Sequence, residues 1–254
     1  MSLGLAQATI TTLLAIIVLL VARKQSIHIE REVIIALLRG ITQITLVGSL
    51  LFLLIKSPAW SSIPILLIMF LIAGFTSAQQ TKDIRGSFVA SFTGIALSSG
   101  LVIGLMSWLG VIELSVMSLV PVGSMIIAAA MNSNALALNR FRAELQSHLG
   151  LIETSLALGA SPKTTMQPYV RASVQASLIP RIDSLKTLGI VWIPGLMTGM
   201  ILTGTDPVYA AIYQFVVMGM IFATSGLASM ITIALIQKRV FTNADQLSLV
   251  PAKS

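Results

Sequence analysis

The sequence predicts an all-α polytopic membrane protein, with about seven transmembrane helices and one long cytoplasmic helical coupling loop. Three observations carry this. Of 254 residues, 56% are apolar and only 10% charged, a balance that suits lipid rather than water. Seven stretches reach the roughly 20 apolar residues that a span needs. The basic residues alternate between connections in the pattern that orients membrane proteins.

In chain order the expected spans are 5–22, 33–55, 59–77, 87–109, 115–138, 187–204 and 208–236. The first has no basic leader segment and no small-residue cleavage site, so it reads as a retained span. Arg39, about one turn into the second, is close enough to the surface to snorkel. The connections on one side hold Arg23, Lys24 and Arg31, then Lys82 and Arg85, then Arg140, Arg142, Lys163, Arg171, Arg181 and Lys186, and finally Lys238, Arg239 and Lys253. Those on the other side hold Lys56 alone. This excess places the N-terminus outside and the C-terminus in the cytoplasm. The net charge of +7 therefore reflects topology and anionic lipid, and no nucleic-acid partner is expected. Residues 1–240 read as one transmembrane domain, with 139–186 as its cytoplasmic loop and 241–254 as a cytoplasmic tail.

Within 139–186, Leu138, Phe141, Leu145, Leu149, Ile152 and Leu156 recur at spacings of three and four, the stripe of an amphipathic helix. Gly159 is a helix stop and Ser161-Pro162 a cap followed by a first turn. The segment is expected to be helix, tight turn, helix.

The spans hold few polar groups. Gly100 and Gly104, and Gly195 and Gly199, are GxxxG pairs for close helix approach, within one subunit or between two. Pro194-Gly195 breaks the sixth span, as a structural kink or as a lining of the transport path. Asn132 and Asn134 lie in the fifth span, Gln43 in the second and Gln214 in the seventh. Asparagine there glues helices or lines a path. Met125, Met131, Met197 and Met200 carry thioethers suited to soft metals, although methionine is more often packing filler. The path candidates are Met125, Met131, Asn132, Lys186, Pro194, Gly195, Met197, Thr198 and Gly199. No metal site is assigned.

Cysteine is absent, which excludes disulfides, Cys zinc sites and thiol chemistry. The two histidines, His28 and His148, fall in expected loops. There is no phosphate-binding loop, nucleophile elbow or HExxH pair, so no enzyme is expected and any ATP belongs to a partner. All nine acidic residues fall in loops or at span ends. That is awkward for a high-affinity metal site, and favours weak carbonyl and amide coordination or a complexed substrate.

Glu153-Thr154-Ser155 followed by Leu158-Gly159-Ala160-Ser161-Pro162 resembles the coupling loop of ABC transporter permeases. A longer series narrows this. It runs Pro121-Val-Gly123-Ser-Met125-Ile126, Met131-Asn132, Leu136-Ala-Leu138-Asn139-Arg140, Ile179-Pro180, Lys186-Thr187, Gly189, Pro194-Gly195-Leu-Met197-Thr198-Gly199, Gly204, Asp206-Pro207 and Tyr213-Gln214. Over roughly 30–240 it is similar to the FetB-like iron-export ABC permease family, which also contains plant aluminium-tolerance permeases. Ala128-Ala129 depart from that family's usual Gly-Asn, and Trp192 and Met200 stand where small or polar residues are usual.

The resemblance implies a bacterial inner (plasma) membrane permease subunit with a separate ATPase. A single coupling loop per chain implies a homodimer for two ATPase subunits. Glu153, Leu156, Leu158, Gly159, Ala160, Ser161 and Pro162 would form the coupling element, with Leu156 and Leu158 as its apolar contact. The implied activity is ATP-driven export of iron or a related metal. Two alternatives stay open: an ABC permease for a sugar nucleotide or organic anion, and a secondary transporter or channel without an ATPase. The loop charges predict that a reporter fused after residue 145 reads as cytoplasmic and one fused after Glu113 as external. Inverted signals would overturn the coupling assignment.

Overall fold

The computed structural model describes residues 30–54, 57–82, 84 and 86–241, with Ile16, Val18, Leu20, Val21, Arg23, Lys24 and Gln25. The first expected span lies almost wholly outside the described residues, as do His28, Lys56, Arg85 and the tail from Thr242. What is described is nearly all helical, without a strand. It divides into two compact units, Met1–Ser57 and Pro58–Ser254.

The first unit contains α1, Glu30–Leu54. Glu30 and Glu32 in its first turn complement the helix dipole. Its hydroxyls donate back to the preceding turn, Thr42 to the Leu38 carbonyl and Thr45 to the Ile41 carbonyl, each at 2.9 Å. That satisfies them without water.

The second unit contains α2 (Ser62–Ala78), α3 (Ser87–Trp108), α4 (Val116–Ser147), α5 (Leu149–Ala157), α6 (Pro162–Lys186), α7 (Gly195–Leu202) and α8 (Pro207–Ile236). Local chemistry sets the main boundaries. The Ser115 hydroxyl accepts from Ser118 N at 3.2 Å and starts α4. Asp206 Oδ1 accepts from Val208 N and Tyr209 N at 3.0 and 2.9 Å, with Pro207 at the first helical position of α8. Among the described residues five segments are long and apolar enough to cross a membrane: Glu30–Ser49, Ala59–Thr81, Ser87–Trp108, Val116–Ser147 and Pro207–Arg239. The protein is an all-α polytopic membrane protein.

Within the second unit α4 packs on α2, α3, α6 and α8, and α8 packs on α3, α4, α6 and α7. One apolar core, including Phe70, Ile95, Ile126 and Val217, lies among α2, α3, α4 and α8. A second, including Leu138, Phe141, Leu145, Ile152, Met166 and Ile236, joins the far end of α4 to α5, α6 and the end of α8. The expected apolar stripe is thus real, but it bends. Backbone at His148 leaves the helical region (φ −119°, ψ 20°) and divides the stripe between α4 and α5.

The sequence reading differs from the structure at the sixth span. Residues 187–204 are not one helix. The Thr187 carbonyl accepts from Ile190, Val191 and Trp192 N at 3.2, 3.0 and 3.4 Å, and Gly189 takes φ +78°. Pro194 is extended (φ −68°, ψ 147°) and only eight residues of helix follow, about 12 Å at 1.5 Å per residue. The chain instead runs through the bundle earlier, as α6, antiparallel to α4 and α8. Met166 near its start lies in the second core, Ser177 donates to Ser229 Oγ at 3.1 Å, and Arg181 reaches Ala129 and Ser133. Residues 139–186 therefore hold the end of α4, α5 and this whole helix.

Within the chain, close helix approach falls at other glycines than the two GxxxG pairs. Among the described residues, a Cβ at Gly100, Gly104, Gly195 or Gly199 would meet nothing within 4 Å. At Gly94 it would collide with Thr232 Oγ1 and lie 3.0 Å from the Ala228 carbonyl oxygen, and at Gly74 it would lie 2.9 Å from Phe92 Cα. Gly94→Ala is expected to destabilise the fold by about 1–3 kcal/mol, whereas Gly100→Ala changes stability by no more than about 0.5 kcal/mol. Unfolding midpoints of the two variants in detergent check this ordering.

Candidate functional site

Two places gather the candidate residues. The first is the turn between α5 and α6. Gly159, at φ +88°, closes a Schellman motif: Ala160 N donates to the Ser155 carbonyl at 3.0 Å and Gly159 N to the Leu156 carbonyl at 2.9 Å. A Cβ there would meet no atom within 4 Å, so the backbone angle alone is what asks for glycine. The Ser161 hydroxyl then accepts from Thr164 N at 3.3 Å and Pro162 opens α6. The turn that the residues predict is the turn that forms.

Its side chains divide. Glu153 is exposed, and Leu158 is 84% exposed. Leu156 is partly buried and packs against the second core, because the same helix face carries fully buried Ile152. Leu158 is thus the freely presented leucine of the two. Leu151, also exposed, was not singled out from sequence, and its only signal is that it falls off the apolar stripe.

The second place is a cavity of about 250 Å³ between α4, α6, α7 and α8. Met125, Ala128, Ala129 and Asn132 line it from α4, Arg181 from α6, and Gln214, Met218 and Ile221 from α8. Trp192, Pro194, Gly195 and Leu196 complete the wall. Arg181 donates from Nε to Ser133 Oγ and from NH2 to the Ala129 carbonyl, both at 3.3 Å. The Ala129 oxygen also accepts from Ser225 Oγ at 3.4 Å. Ala129 lies 13 residues into α4, about 20 Å from the Val116 end, so the guanidinium sits at mid-height of a membrane-length helix. Buried Gln214 accepts the Met197 N–H at 3.2 Å and ties α7 to α8.

Of the path candidates, Met125, Asn132, Pro194 and Gly195 share this cavity. Met131 packs against the first core instead. Met197 meets Gln214 only through its backbone, and the Thr198 hydroxyl donates to the Pro194 carbonyl at 3.3 Å. Gly199 is exposed and not part of the cavity wall. Lys186 pairs with Asp183 at 3.3 Å, with both side chains mostly exposed. Asn134 is the helix-joining asparagine: its Nδ2 donates to Ser77 Oγ at 2.9 Å. Sequence reasoning did not assign the other lining residues to a path; of these, Arg181 was read as part of a loop, and Leu196, Met218 and Ile221 carried no signal beyond their apolar character. Among the described residues no three His, Cys, Asp or Glu side chains come together as metal ligands.

These features define a polytopic helical membrane protein with a mostly apolar cavity between its helices, into whose wall Asn132, Arg181 and Gln214 bring polar groups. The chain belongs to the uncharacterised protein family UPF0014, whose model matches residues 5–241. It is 31% identical over 243 residues to the "Probable iron export permease protein FetB" of Escherichia coli (strain K12), covering 95% of this chain and 93% of that one. It is 32% identical over 244 residues to "Protein ALUMINUM SENSITIVE 3" of Arabidopsis thaliana, covering 95% and 88%. It is also 32% identical over 227 residues to "UPF0014 membrane protein STAR2" of Oryza sativa subsp. japonica, covering 88% and 79%. The family found is the one that the residues resemble. No solved structure matches.

Losing the Gln214 acceptor should loosen α7. Gln214→Leu is expected to speed amide exchange across Gly195–Leu202 about tenfold, the loss of one buried hydrogen bond, with α4 unchanged. Hydrogen-exchange mass spectrometry reads this directly.

Proposed function

We propose that this chain is the permease subunit of an ABC-type transporter that exports iron or a related metal. It would work as a homodimer with two copies of a separate ATPase, which bind the ATP. The observation that carries the reading is the capped turn from Glu153 to Pro162. Backbone and serine-cap hydrogen bonds close it on both sides, Glu153 and Leu158 are exposed, and α6 leads from it to Arg181 at the cavity wall. A partner that moves the turn therefore has a continuous helical connection to the cavity. The name carried by the Escherichia coli relative supports both the permease reading and iron as cargo.

In this reading the turn lies in the cytoplasm of a bacterial inner (plasma) membrane, as the loop charges argue. Glu153 meets a basic residue of the ATPase, Leu158 enters an apolar depression on it, and Gly159 holds the angle between the two helices. ATP-driven closure of the ATPases moves both turns of the dimer and switches the cavity between membrane faces. Met125, Asn132, Pro194 and Gly195 line the path. Met131, Lys186, Met197, Thr198 and Gly199 then act from outside the cavity wall.

Gly159→Val forces a β-branched residue into a left-handed backbone at a cost of about 1 kcal/mol or more. It should lower co-purification of the ATPase and abolish its stimulation, and Glu153→Lys should do the same through charge. Both variants should insert normally, since each residue is exposed. Wild-type assembly and wild-type stimulation in both would overturn the reading.

A further inference from the structure

The cavity wall carries a cation and no anion. Arg181 is a partly buried guanidinium, and the structure pairs it with a serine hydroxyl and a backbone carbonyl, both neutral. No Asp or Glu lines the cavity. A fixed charge at mid-height of a membrane bundle is costly to hold unless something neutralises it. The remaining polar wall adds donors of the same sign. Gln214 commits its acceptor oxygen to Met197 N, which leaves its NH2 end as a pair of donors. The α7 helix opens at the wall with Gly195 and Leu196, and its N-cap, Pro194, supplies no side-chain acceptor. The N–H groups of a first turn lack helical partners and favour negative charge.

The geometry points to an anion-binding cavity, with Arg181 as the residue that recognises a carboxylate or phosphate group of the cargo. This deepens the permease reading and rests on it for the word cargo, although the binding site itself does not. A bare divalent cation is repelled by this wall. A metal bound as an anionic complex is attracted to it. Arg181 suits the role because a planar guanidinium meets two oxygens at once. Ala128, exposed on the same wall, offers a position at which the charge can be cancelled without touching Arg181.

The test is binding to the purified full chain in phosphatidylcholine nanodiscs, followed by calorimetry. The probes are citrate, pyrophosphate, ferric citrate and, under reducing anaerobic conditions, ferrous iron. Wild-type protein should bind at least one of the three anions. Arg181→Gln should weaken that binding about tenfold or more, the loss of a charge-assisted bond. Arg181→Lys, which keeps the charge but loses the two-oxygen fork, should weaken it less than Arg181→Gln does. Because Arg181 also ties α6 to α4, the deciding pair is Ala128→Glu and Ala128→Gln. The glutamate should abolish anion binding by pairing with Arg181, and the glutamine, which takes up the same space without a charge, should weaken it at least tenfold less than the glutamate does. Three results each overturn the proposal: equal anion binding by Ala128→Glu and wild type, equal loss in both Ala128 variants, or wild-type protein that binds ferrous iron or nothing but no anion. Binding needs neither an ATPase nor transport, so its outcome is independent of the assays on the coupling turn.

Discussion

Lipid supplies no hydrogen bonds to a membrane bundle, so a buried polar group is held most cheaply where the protein itself offers a partner. That constraint explains the position of α6. The helix is too polar to be recognised as a span, yet it lies between α4 and α8. Its inward face carries Ser173, Ser177 and Arg181, one turn apart. Ser173 bonds its own helix through the Tyr169 carbonyl at 2.6 Å, Ser177 bonds Ser229, and Arg181 bonds Ser133 and Ala129. The facing helices meet it with small residues, which lets backbones approach and hydroxyls reach. Thr232 does the same between α8 and α3, donating to the Ala90 carbonyl at 3.3 Å beside Gly94.

The same constraint divides what was legible in the sequence from what was not. Apolar length identifies α2, α3, α4 and α8 because their burial is spread along the whole helix. Caps are legible because one side chain settles one backbone position, as at Ser115, Ser161 and Asp206. The turn at Gly159 is legible for that reason as well. Hydropathy misses α6, since it weighs composition and does not ask whether a polar group has a partner. The i, i+4 spacing of Ser173, Ser177 and Arg181 is the signal that survives in the sequence. Residues 187–204 mislead in the opposite direction. They are apolar enough for a span, but Gly189, Pro194 and Gly195 divide them. In the cavity, Met125, Asn132, Pro194 and Gly195 are legible as polar, thioether or helix-breaking residues within apolar runs. Arg181 is not, because reading it as part of a loop removes it from the bundle.

One helix joins the two candidate regions. From Pro162 to Arg181 it runs through about five turns, with Pro168 and Pro180 inside it. Each proline removes a backbone donor, so α6 lacks helical bonds one turn before each of them. Pro180 stands next to Arg181. The cavity end of the helix is therefore the place where its direction changes most easily, while the turn end is fixed by Met166 in the second core.

Three helices meet at a single atom, the carbonyl oxygen of Ala129, which accepts from α6 through Arg181 and from α8 through Ser225. A main-chain acceptor exists whatever amino acid occupies the position. The junction is consequently written in its two donors, and residue 129 has only to be small enough to fit its buried place.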